Sequence, residues 1–376
     1  MQTDLCKRLG IEFPIFAFSH CRDVVAAVSN AGGLGVLGAG WFSPEEFKQQ
    51  LDWLDQHVGE HPYGIDVVIP QQYEGKEEPD PEVLEQRLWA QVPAEHLAFA
   101  RELLRNHSVP DWTEDVKNRP ALAGWTYATS LPLFMQAIGR SRCKLVANAL
   151  GTPPDDIVQM ARADGMLIGA LCGKVKQAVA HQEAGLDFVV AVGGEGGGHC
   201  GEIGSMVLWP QIVDAVDPLP VLVGGGIGNG RQLLAAMAMG AAGAWTGTLW
   251  VTVEEASGEP AQKQSYLDAT SEDTVRTRAW TGKPARVIRN AWTDAWERPE
   301  APRPLGMPLQ GLATYEAMRR TELYPASGDA QRIAMNPVGQ VIGQLNEVES
   351  CRQVIMRMVE EYIEALDHLN ALLPED

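Results

Sequence analysis

The residues of this 376-residue chain best suited to chemistry lie in three glycine-rich stretches. Residues 193–204 read GGEGGGHCGEIG, a loop nearly free of side chains that presents one imidazole, His199. Such a loop lets a flat ligand approach the backbone, and imidazole titrates near neutrality unless its surroundings shift it, which suits proton transfer. A structural role, with the ring bonding a carbonyl of its own loop, stays open beside the catalytic one. Gly224, Gly225 and Gly226 form the second stretch and lead through Ile227–Gly230 into a helical pattern, while Gly247 and Thr248 lie in the third. Bare backbone N–H groups ahead of a helix N-terminus bind phosphate. Three glycines in a row exceed what a tight turn requires.

Other readings of these glycines fail. Gly33, Gly35 and Gly38 match G-x-G-x-x-G inside an apolar run, and Gly196, Gly198 and Gly201 match it without the acidic residue that should end a following strand. Neither has the strand, turn and helix context of a Rossmann fingerprint, and no GxxxxGK[ST] is present. The six cysteines, at 6, 21, 143, 172, 200 and 351, form no CxxC pair, which excludes a zinc ribbon or dithiol motif and fits reduced thiols. No metal site is expected.

Eight short apolar runs can position these loops: 14–18, 34–39, 64–69, 145–150, 166–172, 188–193, 220–224 and 243–251. They read as continuous apolar segments rather than alternating ones, the habit of parallel strands buried on both faces. Helical patterns at 22–31, 44–57, 153–164, 173–184, 206–216 and 229–240 fall between most of them. The expected fold is therefore a (β/α)8 TIM barrel over residues 1–251, whose glycine loops follow its sixth, seventh and eighth strands at the catalytic face. Two parts stand outside that rhythm. A charged, Pro-punctuated insertion at about 71–120, with a helical pattern over 81–107 and an acidic run from Glu74 to Glu85, follows the third strand as a lid or a solvated hairpin. Residues 252–376 form a C-terminal helical extension whose last helix, 346–372, carries an apolar stripe (Val348, Cys351, Ile355, Met358, Tyr362, Leu366, Leu369) suited to core or subunit contact.

Lys plus Arg number 30 against 49 Asp plus Glu, a formal charge of −19 that would repel a nucleic-acid backbone. The opening residues are mixed and acidic, and no run of 18 apolar residues occurs, so neither an export signal nor a membrane span is expected. A cytoplasmic protein with a small-molecule substrate fits, and homo-oligomerisation stays open.

Taken together and in order, VSNAGGLGVLGAG (28–40), PYGIDVVIP (62–70), GGEGGGHCG (193–201), PVLVGGGI (220–227), GAAGAWTGTLW (240–250) and TGKPARVIRN (281–290) resemble the nitronate monooxygenase family, formerly called 2-nitropropane dioxygenases. The resemblance runs from about residue 10 to 290. It implies an FMN-dependent barrel, with the FMN phosphate on the backbone of Gly225, Gly226, Gly247 and Thr248. It places the flavin ring near Ala17, Phe18, Asp66, Gly197 and Gly198, and His199 in the position of the general base. Three departures stand out: Ala17-Phe18-Ser19-His20-Cys21 replaces a usual Ala-Pro-Met and adds His20 as a second candidate imidazole, Asp66 replaces a usual Asn, and Trp245-Thr246-Gly247-Thr248-Leu249 replaces a usual Gln-Met-Gly-Thr-Arg. The activity implied is oxidation of an alkyl nitronate with O2. An enoyl or acyl-thioester reductase or dehydrogenase, or an NAD(P)H:quinone reductase, on the same fold remains an alternative, as does a flavin-free sugar-phosphate isomerase or synthase.

Overall fold

The computed structural model describes residues 1–71, 73, 75–114 and 120–373. Eight parallel strands close into a barrel: β1 (Ile15–Ser19), β2 (Leu34–Gly38), β3 (Tyr63–Val67), β4 (Cys143–Asn148), β5 (Leu167–Cys172), β6 (Phe188–Val192), β8 (Val221–Gly224) and β9 (Gly243–Thr246). Pairing of Ala17 with Thr246 joins β1 to β9 and completes the closure. A two-residue strand, β7 (Gly198–His199), stands outside the barrel and pairs with β11 (Ala285–Ile288), which pairs with β10 (Thr274–Thr277).

The strands are apolar throughout because both faces are buried. Phe16, Leu34, Val36, Leu145, Phe188, Val190 and Leu222 fill the lumen, while Ile15, Ala17, Ile65, Val67, Val146 and Ile168 face the surrounding helices. The eighth apolar run, expected as strand over 243–251, ends as strand at Thr246. Residues Thr248–Trp250 turn into a 3₁₀ helix, and the Trp250 indole donates back to the Thr246 carbonyl and hydroxyl at 3.1 and 3.0 Å.

Over 81–106 the insertion holds the helices Pro81–Trp89 and Ala94–Asn106, because Pro93 breaks the expected single pattern and serves as the N-cap of the second. Glu74, the start of the expected acidic run, and residues 115–119 lie outside the described residues. Both helices pack on helix Leu309–Leu323: Leu84 and Leu88 join Leu312, Ala313 and Tyr315, while Ala100, Leu103 and Leu104 join Trp280, Trp292, Trp296 and Ala317. Arg320 donates to the carbonyls of Val109 and Pro110, tying the insertion to the C-terminal segment.

That segment contains β10 and β11 as well as helices. Its final helix is Cys351–Asn370, shorter than the expected 346–372, because the Ser350–Gln353 capping box sets its start. It packs against helices Arg22–Asn30 and Gly230–Ala238, which flank the β9–β1 seam, and so takes the eighth place in the helical ring. Cys351, Val354, Ile355 and Met358 are buried there, whereas Ile363, Leu366 and Leu369 farther along the helix are exposed. No helix among the described residues is long and apolar enough to cross a membrane.

Candidate active site

The loop after β6 is held from two sides. On one side the Glu195 carboxylate accepts from the Ser205 N–H and hydroxyl, placing negative charge at the N-terminus of helix Ser205–Val216. On the other, Arg286 of β11 donates to the Gly194 carbonyl at 2.9 and 3.1 Å, and Arg276 of β10 donates to the Gly201 carbonyl at 2.8 Å. Between these anchors β7 presents His199. Its ring is half-buried, its Nε2 lies 2.8 Å from the Thr281 hydroxyl, and Trp125 meets it edge-on at 6.2 Å.

Burial, reinforced by the Lys283 ammonium, pushes the His199 pKa down to about 4. The near-neutral titration expected for this loop is therefore not what its surroundings impose. The imidazole is uncharged throughout the physiological range, which is the form able to accept a proton. Removing one of the two causes should move the value in a known direction: Lys283→Met should raise it from about 4 without restoring the ordinary value, because burial remains the larger cause. An NMR titration of the His199 ring checks this, and an unchanged or lower value would refute the electrostatic account.

The other two glycine loops form a backbone cradle. Gly224 pairs with Trp245 on adjacent strands, so Gly226 and Gly247, each two residues farther on, emerge side by side. Among the described residues, the N–H groups of Gly226, Gly247 and Thr248 make no hydrogen bond. A Cβ built on Gly226 would meet only the Glu195 Cβ, at 3.8 Å, and one on Gly247 only the Phe18 ring, at 3.9 Å. Open space beside unpaired donors is the geometry that accepts an anion. Gly225 and Gly197 are glycine for a different reason. A Cβ on Gly225, at φ +96°, would press on the Gly193 carbonyl at 3.1 Å, and one on Gly197 would strike the Gly339 backbone at 2.7 Å. Gly198 has φ +68° with nothing within 4 Å.

The remaining candidates divide by direction. Phe18 points into the lumen, stacked on Trp245 at 6.4 Å, whereas the Ala17 methyl faces the helices, so only its backbone borders the mouth. The neighbours of Asp66, Ile65 and Val67, face the helices, so alternation turns Asp66 into the lumen near the C-terminal end of β3. Asp66 is 4% exposed as a residue, and its carboxyl has no hydrogen-bond or ion-pair partner among the described residues. Burial alone raises its pKa well above the ordinary carboxylate range.

That raised pKa has a stability consequence. An Asp raised in the folded state binds its proton more tightly there than in the unfolded chain, whose value is about 3.9, so stability falls as pH rises from that value toward the folded one. Asp66→Asn should therefore raise the Tm of flavin-free protein at pH 8 and leave it nearly unchanged at pH 4. An equal gain at both pH values would point to packing rather than ionisation.

His20 stands exposed at the rim after β1, its Nδ1 3.3 Å from the Gly38 carbonyl and its ring edge-on to Phe18. No hydrogen bond among the described residues joins it to His199.

The structure also brings in residues that sequence reasoning did not single out. Thr281, Lys283 and Trp125 surround His199. Gly339 donates to the Thr248 hydroxyl at 2.8 Å while Gln340 donates to the Glu195 carbonyl at 2.9 Å, so one strand of chain knits the β6 and β9 loops together. Thr281 and Lys283 lie inside the TGKPARVIRN stretch, which was a signal without an assigned role. Nothing local marked Trp125 or Gly339.

A family profile for nitronate monooxygenase matches residues 3–361. The chain is 45% identical over 380 residues to "Putative monooxygenase Rv1533" of Mycobacterium tuberculosis, covering 99% of this chain and 100% of that protein. It is 29% identical over 369 residues to "Probable nitronate monooxygenase" of Staphylococcus haemolyticus, covering 92% and 96%. Among solved structures, nitroalkane oxidase from Streptomyces ansochromogenes matches with a TM-score of 0.78 at 25% identity, covering 97% of this chain and 99% of that one.

Proposed function

The chain belongs to the nitronate monooxygenase family, and from that premise we propose that it is an FMN-dependent enzyme oxidising alkyl nitronates with O2. Family membership makes it a flavin-dependent oxidoreductase and sets aside the flavin-free sugar-phosphate barrel. The observation that carries the finer reading is the pairing, at one barrel mouth, of an uncharged imidazole on β7 with unpaired N–H donors on the β8 and β9 loops.

The residues present fit FMN. Gly226, Gly247 and Thr248 would hold its phosphate, since their donors are free and the space beside the two glycines is open. One such cradle suits a mononucleotide better than FAD. Phe18 and Asp66 would border the ring, with burial favouring the protonated Asp66 carboxyl, which can both donate and accept, as an amide does. FMN, when bound, supplies a two-electron acceptor that O2 can reoxidise.

The protein's own contribution is proton handling and enclosure. When the neutral nitroalkane is the form that binds, His199 accepts the proton from the carbon next to the nitro group and so forms the nitronate in the site, and its depressed pKa leaves the imidazole uncharged and able to accept at neutral pH. Trp125 walls the imidazole, and Trp41, tilted against Trp125 at 5.1 Å, extends that wall.

An anaerobic flavin-reduction screen tests the assignment, with NADH, NADPH, propionate 3-nitronate and acyl-CoA esters offered separately. Reduction by the nitronate alone is expected. Reduction by a nicotinamide, with none by the nitronate, would move the enzyme to the reductase branch.

A further inference from the structure

We propose that the Thr281 hydroxyl is the positioning group that locks His199 with its proton on Nε2 and so makes Nδ1 the proton-accepting atom. The identification of Nδ1 as the working base rests on the proposed function, whereas the locked tautomer does not.

The inference follows from counting donors and acceptors around one hydroxyl. Thr281 Oγ1 lies 2.8 Å from His199 Nε2, 3.2 Å from the Lys283 carbonyl oxygen and 3.4 Å from the Lys283 backbone N–H. A carbonyl oxygen can only accept, and a hydroxyl has one proton to give. That proton goes to the Lys283 carbonyl, for which no other hydrogen bond is made among the described residues. The Lys283 N–H can only donate, so it takes one lone pair of Oγ1 and leaves the other for His199. Nε2 must then be the donor. In an uncharged imidazole only one nitrogen carries hydrogen, so Nδ1 keeps its lone pair. The opposite arrangement, with Thr281 donating to Nε2, would strip the Lys283 carbonyl of its partner.

The hydroxyl is held where this counting requires it. Thr281 is buried, and Trp280 before it is stacked on Trp292 at 4.4 Å. Gly282 after it has φ +79°, where a Cβ would strike the Leu305 carbonyl at 2.3 Å, so the turn is set by tertiary packing. Pairing of Ala285 with His199 between β11 and β7 fixes the distance between the turn and the ring. Nδ1 itself makes no hydrogen bond among the described residues and is not sealed from its surroundings, so its lone pair is open to a ligand.

With the neutral nitroalkane as the incoming form, the α-C–H bond breaks, the proton forms an N–H bond at Nδ1, and the electron pair stays on the substrate, which becomes the nitronate that is oxidised. The resulting imidazolium keeps its Nε2–H on Thr281, so no second proton moves.

The test uses holoenzyme labelled with ¹⁵N at histidine, the His199 signals being assigned by their loss in His199→Asn. In the resting wild type, His199 should show a protonated Nε2 and a bare Nδ1, well separated in shift. Thr281→Val, nearly isosteric, should draw the two shifts together as the tautomers mix, and Thr281→Ser should restore the separation. In rapid-mixing flavin reduction, Thr281→Val should lower the limiting rate about 10- to 100-fold. Flavin content and half-saturating substrate should stay near wild type, with most of the rate recovered in Thr281→Ser. A wild-type signal protonated on Nδ1, or a Thr281→Val spectrum unchanged from wild type, would overturn the proposal. The spectra need no substrate. A locked tautomer in an enzyme that no carbon acid reduces would therefore uphold the positioning role and count against the nitronate reaction instead.

Discussion

His199→Asn is expected to slow flavin reduction by the carbon acid about 10²- to 10⁴-fold, the usual contribution of a positioned base, equivalent to roughly 3 to 5 kcal/mol of barrier. The fold should survive, because β7 is held by backbone pairing to β11 and by Arg286 and Arg276 on neighbouring carbonyls, none of which uses the imidazole. Flavin content should survive too, since the cradle lies on β8 and β9. The matched control is His20→Asn. That ring sits at the β1 rim against the Gly38 carbonyl and has no bond to His199, so its loss should change the rate only about 2- to 3-fold, within the scatter for a residue outside the proton path. Rapid-mixing measurement of the reductive half-reaction separates chemistry from product release. A small effect of His199→Asn beside a large one of His20→Asn would transfer the base to β1 and remove the main support for the nitronate reading.

Gly226→Leu should abolish flavin retention, weakening FMN at least about 100-fold, or roughly 2.7 kcal/mol, through loss of charge-assisted phosphate hydrogen bonds. The side chain would enter the open space beside the unpaired N–H groups, meeting nothing closer than the Glu195 Cβ at 3.8 Å. The positive φ of +77° adds a strain of about 1 kcal/mol, which a domain of ordinary stability tolerates. Equilibrium dialysis with FMN and with riboflavin checks the cause. Wild type should strongly prefer FMN, and Gly226→Leu should bind the two about equally. Full flavin content in this variant would place the phosphate elsewhere. Gly225 is the less useful probe, because a Cβ there presses on the Gly193 carbonyl and a colourless product would only report misfolding.

Much of the barrel was legible because its strands are buried on both faces. Runs such as FVVAV and LGVLG are apolar at every position, and glycine follows several of the strands where they meet the mouth, as Gly193 follows FVVAV. That same uniformity concealed direction. In IFAFS, Phe16 and Phe18 face the lumen and Ala17 the helices, but an apolar run with no alternation carries no sign of which set is inside. Glycine counts were similarly mute about purpose. Gly226 and Gly247 border open space while Gly197 and Gly225 are crowded by backbone, a distinction that depends on Gly339 and Gly193 arriving from elsewhere in the chain.

What the sequence determined by itself was the local chemistry: eight buried strands, glycine-rich loops after three of them, and an imidazole in one of those loops. Tertiary structure decided the electrostatics and the hydrogen-bond roles. Burial, reinforced by Lys283, holds His199 near pKa 4, and Thr281 gives it a tautomer; both residues lie more than eighty positions away along the chain. The final helix was readable as amphipathic, yet only its packing on helices Arg22–Asn30 and Gly230–Ala238 made it the member that completes the ring. The physical reason is common to these cases. Burial, proton affinity and steric room are set by atoms brought together through space, whereas periodicity and residue type report only on neighbours along the chain.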